Sequence, residues 1–253
     1  MTRRRFPVGK TLLYGFMSLW ALTTIYPFIW VILNSFKPRG LIRSDTFSLP
    51  IGDKFTLENY VTAFKRVDIG TAYVNSIVIS GAVTVVVMVL AGLAAYAMVR
   101  YSFRLRGFLH SMIIASMMFP VFSTIIPVFR MESSWGIVNT GSIWLTRLSV
   151  VLPQIAGNLS FAIIVLMGFI RSLPVDLEEA AYLEGYNVYQ IFFRIIMPLA
   201  KPSFATVGIF TFLWSYNDLF LQMFFLRSKK FFTITRLLNE ISSQAGTNYG
   251  LMV

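Results

Sequence analysis

An all-α, polytopic transmembrane helical bundle is the fold class that this sequence predicts. Three observations predict it. Mean hydropathy is +0.69, hydrophobic residues make up 56% of the 253, and charged residues only 13%. A soluble domain carries about a quarter charged residues. The apolar residues also come in blocks too long for a globular core, because about 20 of them cross the ~30 Å hydrocarbon layer as a helix.

Five spans follow in chain order. Residues 1–10 form a basic N-terminal segment, and the uncharged run 11–36 between Lys10 and Lys37 is the first span. A secretory signal has a shorter apolar core ending in a small-residue cleavage site, so this run reads as a retained anchor. Residues 37–69 form a loop with a short helix expected near Thr56 to Phe64. The next spans are expected at about 73–98, 107–129, 148–170 and 203–226. Pro120 and Pro127 interrupt the third run and predict an early end or a kink there.

The net charge is +11, from 22 Lys and Arg against 11 Asp and Glu. These basic residues flank apolar runs, as membrane anchoring requires, rather than forming a nucleic-acid-binding stripe. Their density is highest in the short segments 1–10 and 100–106, which places the N-terminus in the cytoplasm and residues 37–69 outside. The chain has no Cys and one His, His110, which excludes disulfides, thiolate metal sites and zinc hydrolase motifs. Val8-Gly9-Lys10-Thr11 resembles the end of a phosphate-binding loop, but Arg4 stands where that motif needs glycine. No catalytic, metal or cofactor residues are expected, and the chain reads as a non-enzyme.

Residues 171–201, on the cytoplasmic side by this topology, are polar and helix-patterned between two spans. Pro174 and the acids Asp176, Glu178 and Glu179 suit a helix start. Gly185 loosens the backbone, and Asn187 is placed to cap a second helical piece. There Val188, Ile191, Phe192 and Ile195 are expected to share one apolar face. On the first piece Leu177, Ala181 and Glu184 are expected to share a face, and Ala181 with Gly185 makes a small-residue notch for another backbone. A helix resting on lipid would carry Lys and Arg on its polar face, so the acids here favour a protein partner.

Glu179-Ala180-Ala181, Gly185, Ile195 and Met197-Pro198 resemble the EAA loop of binding-protein-dependent ABC importer permeases, whose pattern is EAA-x3-G-x9-I-x-LP. Met197 replaces the usual leucine, a volume-conserving change. The lead-in from Leu173-Pro174 and the stretch Trp214 to Asp218 are similar to the carbohydrate-uptake branch of that family.

The resemblance implies a type I transmembrane domain over residues 70–253. It implies a second, different permease subunit and two ATPase subunits that bind ATP and magnesium. An extracytoplasmic solute-binding protein and a prokaryotic cell membrane are implied too. It places Glu179, Ala180, Ala181, Glu184, Gly185, Ile195 and Pro198 at the ATPase contact. The branch has six spans, and Asn248 to Met252 resemble the lead-in to the last, so the sequence is expected to stop before it.

Asp218 is the one acid within an expected span. It either faces a cavity, with Tyr216 and Asn217 lining a sugar path, or lies near the outer end and reaches out to water. Importers of non-sugar solutes fit the same motif. A secondary transporter fits less well, since it would be expected to show inverted repeats and several intramembrane charges.

Overall fold

The computed structural model describes residues 8–245. The basic residues 1–7 and the stretch Asn248 to Met252 lie outside the described residues. The chain divides into two compact units, residues 1–68 with 238–253 and residues 69–237.

In the first unit, α1 (Val8–Ser35) is one helix with Pro27 inside it, and its large apolar side chains stand exposed. A polar knot follows it. Lys37 is fully buried and its Nζ donates to the carbonyls of Asp45 (3.1 Å) and Thr46 (2.8 Å). Asn59 Nδ2 donates to the carbonyls of Ser35 (3.0 Å) and Lys37 (2.8 Å). Phe36 lies between Phe55 and Tyr60, with ring centroids 5.6 and 5.4 Å away. These contacts hold two short helices, α2 (Arg39–Ser44) and α3 (Glu58–Arg66), in the loop after the first span. Buried carbonyls need donors, and Lys37 and Asn59 supply them.

Asp45 also pairs with Lys54 at 2.6 Å, and that hydrogen bond holds its carboxyl below the usual carboxylate range. A depressed folded value stabilises the loop above the unfolded value and loses that contribution as pH falls through the folded one. Amide exchange in residues 37–57 should therefore be flat with pH above about 4 and quicken below it, after correction for intrinsic rates. Asp45→Asn should remove that acid-side step. A wild-type loop with no such step would refute this role for the pair.

The second unit is built on α4 (Ile69–Arg100), which packs against α7 (Ile143–Arg171) and α11 (Lys201–Asn217). Although α4 is apolar all round, one stripe is buried: Ala72, Ser76, Ile79, Val83, Val87, Ala91 and Ala95. Steps of three and four residues put these on one face. Small residues let a neighbour approach closely. At Gly92 a Cβ would lie 2.8 Å from Phe204 Cζ and 3.0 Å from Phe192 Cζ. On α7, Val150, Gln154, Asn158, Ala162, Leu166 and Ile170 recur every four residues as its buried face.

Two expected spans are not single helices. The third run forms α5 (Arg106–Ser116) and α6 (Val121–Ser134), with axes 104° apart. Pro120 has no N–H to continue the first helix and sits in an extended conformation as the N-cap of the second. Pro127 lies inside α6 without ending it. The fifth run stops at Asn217, the end of α11, and resumes as α12 (Leu219–Phe225). Asp218 between them has φ −70° and ψ 95°, which breaks the helix. By length and composition, three helices among the described residues are each able to cross a membrane, or up to five if two bent pairs, α5 with α6 and Val188–Leu199 with α11 (81° apart), each count as one span.

Candidate functional site

The polar segment after α7 folds as a jointed pair. α8 (Asp176–Leu183) has its three acids in the first turn, where the helix dipole favours them. It ends in a Schellman motif: Gly185 N–H donates to Tyr182 O and Tyr186 N–H to Ala181 O, both at 3.0 Å. Gly185 has φ +86°, a conformation that glycine adopts without steric cost, and no atom lies within 4 Å of its missing Cβ. Asn187 then starts α9 (Val188–Ile191) with a capping box. Its side chain accepts from Gln190 N–H and its own N–H donates to Gln190 Oε1, each at 2.9 Å.

A π-helical turn, Phe192–Ile196, continues α9 into α10 (Met197–Leu199). The extra residue in that turn moves the apolar register. Ile191, Phe192 and Ile196 are buried, whereas Ile195 is half-buried and Val188 exposed. A strict 3.6-residue period had put Ile195 on the buried face.

α8 presents a different face from the one expected. Glu178 and Ala181 point into the chain, each 4% exposed. Glu179, Ala180, Glu184 and Gly185 are exposed, as are Leu177 and Leu183, the latter at 91%. Leu177, Ala181 and Glu184 therefore do not form one outward face. The small side chain of Ala181 serves packing within this chain. Pro198 is exposed at the far end of the segment.

Glu178 is the residue that sequence reasoning placed only as a helix-start acid. Its Oε1 accepts from Arg100 Nε at 2.5 Å and its Oε2 from the Tyr96 hydroxyl at 2.8 Å. Arg100 Nη2 also donates to the Leu173 carbonyl at 2.9 Å. The Tyr101 and Tyr182 hydroxyls lie 3.0 Å apart.

A second feature of this unit is an open cavity of about 910 Å³ lined from the end of α5 and from α6, α7, α11 and α12. Gln154, Asn158, Ser215 and Asp218 supply polar groups to its wall, and Phe122, Phe161, Trp214 and Phe220 supply aromatic ones. Gln154 organises the polar side. Its Nε2 donates to Asp218 Oδ2 at 3.0 Å and its Oε1 accepts from Ser215 Oγ at 2.6 Å. Asp218 Oδ1 accepts from Leu221 N–H at 3.2 Å, so the acid also caps α12. Gln222 donates to the Ser215 carbonyl at 3.1 Å and accepts from Thr233.

Of the three expected path residues the structure brings only Asp218 to this wall. Tyr216 stacks on Phe212 at 5.8 Å, and Asn217 Nδ2 turns back to the Leu213 carbonyl at 2.8 Å. Gln154, Asn158 and Ser215 were missed, although amides and hydroxyls within apolar runs were a visible signal.

Comparison with known proteins gives a consistent picture. Residues 88–252 match the family described as binding-protein-dependent transport system inner membrane component. The diacetylchitobiose uptake system permease protein NgcG of Streptomyces coelicolor is 35% identical over 210 residues, covering 83% of this chain and 67% of that one. The trehalose transport system permease protein SugB of Mycobacterium tuberculosis is 32% identical, covering 85% and 73%. Among solved structures, a bacterial ABC transporter involved in import of the acidic polysaccharide alginate superposes with a TM-score of 0.80. That match covers 100% of this chain and 92% of the other at 21% identity, which establishes likeness of fold.

Proposed function

Because the chain belongs to the family of binding-protein-dependent transport system inner membrane components, we infer that it imports sugars as one permease subunit of an ATP-driven complex. It is a multi-pass membrane transport subunit and not an enzyme; ATP hydrolysis belongs to separate subunits. Its partners in this reading are a second, different permease, two ATPase subunits holding ATP and magnesium, and an extracytoplasmic solute-binding protein. The N-terminus is cytoplasmic, which the basic density of the short segments supports.

The observation that carries the reading is the exposed face of α8 with the glycine joint beyond it. Leu177, Ala180 and Leu183 form an apolar edge between the acids Glu179 and Glu184, and nothing within this unit covers it. Such a stub fits a groove on the ATPase. Ile195 is half-buried at the back of the segment, Ala181 supports α8 from inside, and Pro198 turns the chain toward α11. A cysteine at Ala180 should cross-link to a nucleotide-hydrolysing subunit in native membranes, and its failure to do so would remove the coupling role. The absence of native cysteine makes that label unambiguous on this chain.

For the solute, the relatives' names supply the class: diacetylchitobiose, trehalose, lactose, and melibiose, raffinose or stachyose. The cavity chemistry agrees with it. Amide and carboxylate oxygens accept from sugar hydroxyls, while aromatic rings pack on the apolar faces of sugar rings. Gln154→Ala and Asp218→Ala should each lower uptake about tenfold, the loss of one hydrogen bond to a charged or buried partner. Cross-linking through Ala180 should be unaltered. Unchanged uptake kinetics in both would exclude this cavity as the path. A relative named for uptake of osmoprotective compounds, 33% identical, keeps non-sugar solutes as the second reading.

A further inference from the structure

We propose that Glu178 locks α8 to the end of α4, so that the two move as one rigid body when the ATPase subunits act. The proposal rests on the coupling role just given to α8 and adds the residue contacts that carry the load.

Force applied to α8 has three routes into the bundle. One runs backward along the chain to α7, through the four residues Ser172 to Val175 with Pro174 among them. Another runs forward past Gly185 and the π-helical turn to α11, through a joint and an 81° bend. Both contain compliant elements. The third is lateral and stiff.

Glu178 lies on the inner face of α8, 4% exposed, and each of its carboxylate oxygens accepts from a different residue of α4. Tyr96 and Arg100 are one helical turn apart, so a single carboxylate spans them. Arg100 uses a second nitrogen, Nη2, on the Leu173 carbonyl, which ties the lead-in of α8 to the same point. Four residues beyond Glu178, Tyr182 meets Tyr101 across 3.0 Å, a second link between the same two segments.

Tyr96 adds a third neighbour. Its ring packs on Phe192 of the π-helical turn with centroids 5.5 Å apart. Phe192 in turn sits against Gly92, one turn back along α4. The last three turns of α4 thus form a block on which α8 and the turn after α9 both rest. A charge-assisted pair that is nearly excluded from water is strong and directional. Removing one partner leaves the other buried and unpaired, which is why the link resists opening. Glu178 acts as a positioning residue.

The test uses the assembled complex of this chain with its partner permease and ATPase subunits. Spin labels go on cysteines at Leu90 and Asp176, exposed sites on α4 and α8 of a chain without native cysteine. The wild-type distance distribution is expected to be the same without nucleotide and with magnesium, ATP and vanadate. In Glu178→Gln it should broaden at least twofold and shift on addition of nucleotide, with ATP hydrolysis retained. Arg100→Lys, which keeps the charge but not the fork, should lie between the two. Tyr96→Phe removes only a hydroxyl and serves if Glu178→Gln fails to assemble; it too should broaden the distribution.

A wild-type distance that changes with nucleotide overturns the rigid-body proposal. So does a distribution in Glu178→Gln or Tyr96→Phe as narrow and nucleotide-independent as in wild type. Cross-linking through a cysteine at Ala180 is read in parallel. Its absence from wild type would defeat the ATPase-coupling role itself, whereas its persistence with unaltered distances would defeat only the lock.

Discussion

Gly92→Leu is expected to leave little or no assembled protein in the membrane. The added Cβ alone would sit 2.8 Å from Phe204 Cζ and 2.9 Å from its Cε1, with Phe192 Cζ at 3.0 Å. Both rings are buried, at 3% and 1% exposure, so neither swings into open space. Forcing atoms into a packed core costs about 1–3 kcal/mol, and more where neighbours cannot yield. Leucine adds three further carbons to a site that already rejects one. Gly92→Ala should give a folded but weakened protein, with destabilisation of about 1–3 kcal/mol. The check is the half-life of the detergent-solubilised complex at fixed temperature, read by size-exclusion chromatography. Wild-type half-lives in both variants would show that α4, α11 and the π-helical turn do not meet closely at Gly92.

Gly185→Val should instead yield an inserted, assembled protein that hydrolyses ATP and transports poorly. The added Cβ meets no neighbour, since nothing lies within 4 Å of it. The obstacle is the backbone: φ is +86°, and an L-residue held in the left-handed region costs roughly 1–2 kcal/mol, more when β-branched. To relieve it the chain must abandon the Schellman turn, which re-aims α8 relative to α9. Transport per ATP is expected to fall at least tenfold, the equivalent of about 1.4 kcal/mol. Gly185→Asn should fall less, since asparagine tolerates positive φ better. Undiminished transport by Gly185→Val in reconstituted vesicles would rule out the joint, and equal loss in both variants would point to side-chain bulk rather than backbone.

The helical pieces of the polar segment after α7 were readable because their signals are local. Proline and acids open α8, glycine closes it, and Asn187 with Gln190 makes a capping box within four residues. The faces were not readable. Ile195 was assigned to the buried side by the α-helical period, and a single π-helical turn put Ile196 there instead. Glu178 carries the same local signal as Asp176 and Glu179. Only the approach of Tyr96 and Arg100, 82 and 78 residues earlier, distinguishes it. Asp218 was visible as an acid in an apolar run. That it ends one helix and caps the next depends on its own backbone turn, and its place in the cavity wall depends on Gln154 from α7.

By itself, the sequence determined the class of molecule, the existence of each long apolar segment, the proline that breaks the third of them, and the motif in the polar loop after α7. Those follow from composition and from spacing along the chain, which need no partner in space. The tertiary structure alone decided which side of α8 is free and which residues share the cavity. Each of these depends on what another helix brings within a few ångströms, and the same side chain is a contact or a loose end according to that neighbour.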